Sequence, residues 1–306
     1  MQVRLLGTAA GGGFPQWNCN CANCSGVRRG TVVAESRTQS SVTLSGDGTR
    51  WFLLNASPDV RAQIQAFPRL LPPQGCKRGT ALEGVLLSNA DLDHTLGLFI
   101  LREGEPLRVH APGAVREALT EGLPLGSILD HYSGMRWEEP PPELEPLLCA
   151  DGSPSGLSYR AFPVPGKPPR YFIRGKGTRS DHTVAYEFTD EKTGGRMIYA
   201  PGVAALHREL LGRLGACDLL LFDGTFFRED EMERSGVGTL LASQMGHVPV
   251  GGKGGTLEQL APLAPRHKVY VHINNTNPML DEGSWEHAEV LRAGLAVGKD
   301  GMDFTL

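Results

Sequence analysis

No stretch of the chain reaches the ~18 to 20 consecutive apolar residues that a membrane-spanning helix needs, and neither sign of charge dominates. The 30 Lys and Arg stand against 34 Asp and Glu, a formal net charge of −4 over 306 residues. The first absence excludes a helical membrane span. The second, with no long Lys/Arg block, leaves no electrostatic footprint for nucleic acid. The run from Met1 to Gly13 lacks a basic region followed by ~7 to 15 apolar residues, so no secretory signal is expected. A cytoplasmic location is expected instead, where disulfides are uncommon. No internal repeat is visible, which sets aside solenoids and propellers. What remains is 40% hydrophobic and 21% charged residues, the balance of a globular chain rather than a disordered one. The length fits one large α/β domain or one domain with an insert.

Six cysteines are present, and half of them fall together as Cys19-Asn20-Cys21-Ala22-Asn23-Cys24. The other three, Cys76, Cys149 and Cys217, are scattered and read as ordinary thiols. CxCxxC is metal-ligand spacing: thiolates on a tight loop converge on one ion at about 2.3 Å per Zn–S bond, with a fourth ligand from elsewhere. A Cys-rich turn without metal is the alternative. Gly11-Gly12-Gly13 and the Asn and Ser neighbours favour an irregular ligand loop over a helix.

Strand signals dominate the first hundred residues. Val3 to Leu6 is a short apolar strand, Ser41 to Ser45 alternates, Gly46-Asp47-Gly48 signals a hairpin turn and Trp51 to Asn55 returns. Residues 58–67 read as a helix with Val60, Ile64 and Phe67 on one face, and Gly84 to Ser88 as a buried strand. Residues 138–170 are rich in Pro and suit connections, not core elements. Further strands are expected at Thr183 to Phe188, Arg196 to Tyr199, Leu219 to Phe222 and Val269 to Ile273, with helices near 203–215, 256–262 and 284–294. Strands followed by helices in both halves point to an α/β fold of two sheets packed face to face with helices outside.

Directly after the buried strand, Asn89-Ala90-Asp91-Leu92-Asp93-His94 places four potential ligands within six residues, more than helix capping requires. This N-x-D-x-D-H resembles the H-x-H-x-D-H signature of the metallo-β-lactamase superfamily, with Asn89 and Asp91 where the two leading histidines stand. The blocks LLGTAAGGGFPQWNCNCANC, SNADLDHTLGL, SDHTVAYEF, FDGTFF, GHVPV and VHINNTNP, in this order, are similar to the subgroup of that superfamily that serves pyrroloquinoline quinone (PQQ) biosynthesis.

The resemblance implies an αββα sandwich of two mixed sheets, as a single domain over residues 1–306. Superfamily members build a dinuclear site. One metal takes the leading histidines and a third His, and the other takes the Asp-His pair and a late His. Here the first set is reduced to Asn89 and Asp91 with His182 retained, and the second survives as Asp93, His94 and His272. One metal with open positions is therefore expected, with a weaker or absent companion. The bridging acid should fall in Tyr199-Ala200-Pro201-Gly202-Val203, which holds no carboxylate, and this argues against two-metal hydrolysis. Two histidines and one carboxylate form the facial triad of non-haem Fe(II) and oxygen activation, although they hold Zn(II) with a water equally well.

Asp223, by the same resemblance, orients a ligand imidazole or caps a turn, and His247 is an active-site proton donor or an ordinary loop histidine. Asn275 stands where related phosphodiesterases have a His that completes the cysteine zinc. Either its amide oxygen binds there or His272 turns to the thiols. His110, His131, His207, His267 and His287 read as surface or satisfied structural histidines. The implied function is iron- and oxygen-dependent hydroxylation of the tyrosine ring in a Glu-Tyr precursor cut from the PqqA peptide, among other PQQ biosynthesis proteins. Carriage of PQQ or its precursor is the alternative, and metal-dependent phosphodiester hydrolysis a second.

Overall fold

The apolar run after Met1 forms the first strand, β1 (Gln2–Gly7), in a computed structural model that describes residues 1–172 and 179–306. The expected hairpin follows as β2 (Ser41–Ser45) and β3 (Trp51–Leu54), antiparallel with Val42 opposite Leu54. Its turn is fixed by the Asp47 carboxylate, which accepts from the backbone N–H groups of Thr49 (2.8 Å) and Arg50 (2.9 Å). β3 stops one residue short of expectation because Asn55 adopts φ 58°. Its amide side chain instead pairs with Ser88, accepting from the Ser88 N–H at 2.9 Å.

The remaining strands are β4 (Leu82–Leu86), β5 (Leu107–His110), β6 (Met135–Glu138), β7 (Glu145–Leu148), β8 (Pro154–Pro163), β9 (Val184–Asp190), β10 (Arg196–Ala200), β11 (Leu219–Asp223), β12 (His267–Val271), β13 (Ala296–Val297) and β14 (Asp303–Thr305). The chain divides into two compact units.

The first unit, Met1–Leu6, Ser41–Arg196 and Gly301–Leu306, holds a seven-stranded sheet in the order β14-β1-β2-β3-β4-β5-β6. Strands β3 to β6 run parallel. β3 is buried throughout, which is why it reads as a continuous apolar run rather than an alternating one. The helix expected at 58–67 forms at Val60–Ala66, followed by a 3-10 turn at Pro68–Leu70. Val60 and Phe67 are buried, and Ile64 packs partly buried, against a core of Leu53, Val85, Leu98 and Val109.

Residues 138–170 correct the expectation of a plain connection. They carry β7 and the ten-residue β8, which pairs antiparallel with β9 from Leu157–Asp190 to Pro163–Val184. Leu147, Leu157, Tyr159 and Phe162 are buried there. The prolines mislead because they sit where a sheet tolerates a missing N–H: Pro154 and Pro163 at the ends of β8, and Pro146 on the outermost strand.

His110, at the end of β5, is a structural histidine as expected, but it is bonded at Nδ1 alone, its buried Nε2 having no hydrogen-bond partner among the described residues. It is buried, with Nδ1 3.0 Å from the Tyr159 hydroxyl and 3.6 Å from Glu138, whose carboxylate accepts two bonds from Arg108 (2.7 and 3.0 Å). Burial outweighs the attraction of Glu138 and pushes its pKa from 6.5 down to about 4. A depressed imidazole pKa contributes stability that is complete above the unfolded value and is lost as pH falls toward the folded one, up to ~3 kcal/mol here. The urea midpoint is expected to drop between about pH 7 and about pH 4, and by less in His110→Gln. Identical profiles for the two proteins would place the acid sensitivity elsewhere.

The second unit, Gly7–Ser40 and Met197–Asp300, is built on the parallel array β10-β11-β12-β13, with Ile198 opposite Leu220, Leu221 opposite Val269 and Tyr270 opposite Val297. Its helices include Thr256–Leu260 and Trp285–Arg292, close to expectation, the latter capped by Ser284. The helix expected at 203–215 starts late, at Arg208–Leu214. His207 caps that start, accepting from the Leu210 N–H at 3.3 Å, while the Val203 N–H donates to the Asp223 carboxylate at 2.9 Å. No helix among the described residues is long and apolar enough to cross a membrane.

Candidate metal centres

In the first unit, the chain leaving β4 is pinned by Leu87 N–H to His110 O (2.9 Å), and Val184 N–H to Ser88 O (2.8 Å) brings the start of β9 alongside. A short helix, Leu92–Thr95, then begins with Asp91 as its N-terminal flank. A second turn follows at Gly97, where a Cβ would stand 2.3 Å from the Ser57 carbonyl oxygen, so only glycine lets this backbone approach.

Asn89 is the organiser of this turn. Its Nδ2 donates to Asp91 Oδ2 at 2.9 Å, which fixes the amide so that Oδ1 faces His94 Nδ1 at 2.7 Å. Nδ1 must therefore carry the ring proton, and Nε2 carries the lone pair, the tautomer of a metal-ligating histidine. His94 is buried and Asp93 half-buried. His182 is also half-buried, and its Nδ1 is enclosed with no hydrogen-bond partner among the described residues. Its neighbour Asp181 is committed elsewhere, to Ala114 N–H (3.0 Å) and the Arg179 guanidinium, whose hydrogen bonds hold the carboxyl below its usual range. Sequence reasoning missed Tyr171, whose hydroxyl donates to Ala90 O at 2.6 Å. Burial and the Asp91 charge raise its pKa, so the phenol stays protonated.

In the second unit, β11 ends in the buried Asp223. Oδ2 accepts from Val203 N–H (2.9 Å) and faces His247 Nδ1 (2.7 Å), while Oδ1 accepts from Thr225 N–H (3.1 Å) and its hydroxyl (2.6 Å). Burial alone would raise this carboxyl, but the attraction of His247, followed by His272 and the Thr225 hydroxyl, holds it below the usual range. Thr225 Oγ1 also lies 2.8 Å from His272 Nδ1. A hydroxyl has one proton, so when it is given to Asp223, His272 Nδ1 is the donor in that contact and His272 Nε2 carries the lone pair.

His272 itself sits at φ 56°, in the left-handed region that few side chains adopt. The His247 and His272 rings stack 5.6 Å apart at 27°. One ligand atom from each of Asp223, His247 and His272 lies within 4.8 Å of the others. The sequence signal for Thr225 was present but unused: a hydroxyl two residues beyond the acid at a strand end. Gly224 between them is also required, since a Cβ there would come 2.7 Å from Tyr270 Cβ.

The third cluster is the cysteine loop, again within the second unit. The sulfurs of Cys19, Cys21 and Cys24 are buried and within 4.8 Å of one another, a range that includes the about 3.8 Å between sulfurs at tetrahedral vertices around zinc. The expected irregular loop is corrected in part. Cys21 flanks the helix Ala22–Arg29 and Cys24 lies in its first turn, three residues on and so on the same side. The helix ends at Gly30 with φ 70° after Arg28-Arg29.

Asn275 does face all three sulfurs, but through its nitrogen rather than the expected oxygen: Nδ2 lies 3.2, 3.6 and 3.3 Å from Cys19, Cys21 and Cys24. A half-turn of the amide would put Oδ1 at the same vertex. Burial pushes the Cys21 thiol up to about 12. Burial works the same way on Cys19, but the Cys21 N–H and the groups around it outweigh it and draw that thiol down. Such a set favours a bound cation, which would ionise all three. His272 groups with Asp223 and His247, and Asn275 with the cysteines. Cys76 is exposed, and Cys149 and Cys217 are buried, the Cys217 thiol donating to Leu214 O at 3.3 Å. His207 caps Leu210 and His287 bonds Met279 O, both structural roles as expected.

Comparison with known proteins matches residues 50–273 to the β-lactamase superfamily domain. The chain therefore has the metallo-β-lactamase fold, two mixed sheets with helices, as expected. It is 45% identical over 307 residues to coenzyme PQQ synthesis protein B of Pseudomonas putida, with all of both chains covered. The crystal structure of Zn(2+)-bound PqqB from Methylobacterium extorquens superposes with a TM-score of 0.90 at 39% identity, again over both whole chains. A diphosphatase of the PhnP family shares the fold alone, with a TM-score of 0.64 at 18% identity over 100% of this chain and 97% of that one. Within the superfamily, the chain belongs to the coenzyme PQQ synthesis protein B (PqqB) family.

Proposed function

We propose that this chain acts in PQQ synthesis as a metal- and oxygen-dependent hydroxylase of the tyrosine ring in a Glu-Tyr precursor derived from the PqqA peptide. Asp93, His94 and His272 hold one divalent metal with open positions, Fe(II) in this reading. Cys19, Cys21, Cys24 and Asn275 hold a structural zinc. The observation that carries the metal assignment is the paired second contact of the two histidines: Asn89 Oδ1 accepts from His94 Nδ1–H, and Thr225 Oγ1 accepts from His272 Nδ1–H when its own proton goes to Asp223, so both rings present Nε2 lone pairs. Such contacts orient ligand imidazoles and raise their basicity. The residue stretch Tyr199 to Val203 lacks the bridging carboxylate of two-metal hydrolases, which supports an oxygen-using reaction over hydrolysis.

The metal, when bound, supplies oxygen activation. The chain's own residues supply proton control. His247, anchored through Nδ1 on the buried Asp223 carboxylate, gives and takes a proton at Nε2. Asn89, Asp91 and His182 shape the side where related enzymes hold a second ion. A cytoplasmic location, one domain over residues 1–306 and work beside other PQQ synthesis proteins belong to the same reading.

The test is direct. Protein reconstituted anaerobically with Fe(II) is given Glu-Tyr, a reductant such as ascorbate and then oxygen. One oxygen atom enters the ring, while the other takes two electrons and two protons to water. The expected result is a product heavier by one oxygen atom. Binding of Glu-Tyr without turnover in any metal form would favour the carrier role.

A further inference from the structure

Between the cysteine cluster and the histidine pair runs a continuous set of hydrogen bonds, all within the second unit. Asn23 lies between Cys21 and Cys24 in the first turn of the helix. Its Nδ2 donates to the carbonyls of Asn275 (3.1 Å) and Asn277 (2.9 Å). Asn277 is fully buried, and its own Nδ2 donates to the carbonyls of Gly224 (2.9 Å) and Thr225 (3.3 Å). Asn274 N–H reaches the same Thr225 carbonyl at 3.0 Å. Thr225 then holds both Asp223 and His272, and Asp223 holds His247. One side chain, Asn277, therefore ties the segment that carries His272 and Asn275 to the strand end that orients both imidazoles.

We propose that Asn277 is a positioning residue that couples the two clusters, so that a zinc held by Cys19, Cys21 and Cys24 sets the geometry of His272 and His247. The coupling rests on the proposed zinc at the cysteines, and on the proposed second metal only where its affinity is measured. It is reciprocal: a metal on His272 tightens the cysteine site by the same factor. Asn277 has another task, since Oδ1 accepts from Met279 N–H at 3.0 Å and caps the 3-10 turn. Asn277→Ser separates the two, because serine retains a capping oxygen but lacks both amide donors.

The experiment uses the full chain, labelled with 15N-histidine and carrying one zinc on the cysteines. In the parent, chelating that zinc is expected to speed solvent exchange of the His272 Nδ1 proton by loosening its Thr225 contact. In Asn277→Ser the exchange is already fast, and chelation adds nothing. Equal responses of the two proteins to chelation, or no response in either, would overturn the coupling. Should the serine variant fail to fold, Asn23→Ala removes the same link on the cysteine side and leaves the Thr225 contacts in place.

Affinity for a second metal, titrated with Fe(II), is expected to fall about tenfold in Asn277→Ser with the zinc retained. A parent that takes zinc on its cysteines but no second metal sinks the role of His272 as a ligand, and the imidazole signals still decide the coupling.

Discussion

His272→Asn is expected to leave a folded chain with one zinc, no second metal and no hydroxylated product. Asparagine is the informative replacement because the position demands a positive φ, 56°, which Asn tolerates and Ala does not. Its amide can still meet the Thr225 hydroxyl, so Asp223 and His247 retain their arrangement. What disappears is the imidazole Nε2 lone pair. Outer-shell partners of ligand histidines already cost about 10- to 100-fold in metal affinity when removed, so loss of the ligand itself exceeds that range. On the proposed reading, Asp93→Ala and His94→Ala share the phenotype: metal analysis falls from two equivalents to one and turnover drops below detection. Turnover at the parent's rate in His272→Asn would remove this residue from the metal site. Parental rates in both Asp93→Ala and His94→Ala would remove the hydroxylase reading altogether.

The parts of this molecule legible from its sequence are those in which one short segment contains its own explanation. Ser41 to Ser45 alternates, the chain turns at Asp47 and Trp51 to Leu54 pairs back as it reads, and the CxCxxC thiols converge because their spacing leaves little choice. The β7–β8 pair was hidden because proline is counted as a breaker wherever it occurs, although at strand ends and on an outer strand it breaks nothing. The role of Asn89 was hidden for another reason. In the superfamily pattern it occupies a ligand position, and only the Asp91 contact at 2.9 Å shows that its oxygen is turned to His94 Nδ1. Thr225 and Asn277 were illegible as well, since their partners lie up to 47 residues and 53 residues away in sequence. A hydroxyl or an amide in a strand-end motif carries no label until the fold supplies its neighbours.

Cys21→Ser is expected to release the structural zinc and destabilise the fold while weakening, rather than abolishing, the second metal site. The replacement is nearly isosteric, so the packing of the buried loop is retained, but a serine hydroxyl is a poor zinc ligand beside a thiolate. Two thiols and the Asn275 amide remain, and the former zinc charge no longer offsets their burial. A metal at 1,000 times its dissociation constant stabilises by about 4 kcal/mol, and for a chain of this size that corresponds to a melting temperature lower by roughly 6 °C. Calorimetry with metal analysis checks both numbers on one sample. The consequence for the histidines separates two pictures of the loop. As an inert staple, it would leave second-metal affinity unchanged in whatever fraction stays folded. Joined through Asn23 and Asn277 to Thr225, it lowers that affinity by about tenfold, and the same loss should be smaller when Cys21→Ser is built into Asn277→Ser. Full zinc content in Cys21→Ser would show instead that the three thiols are not the zinc site.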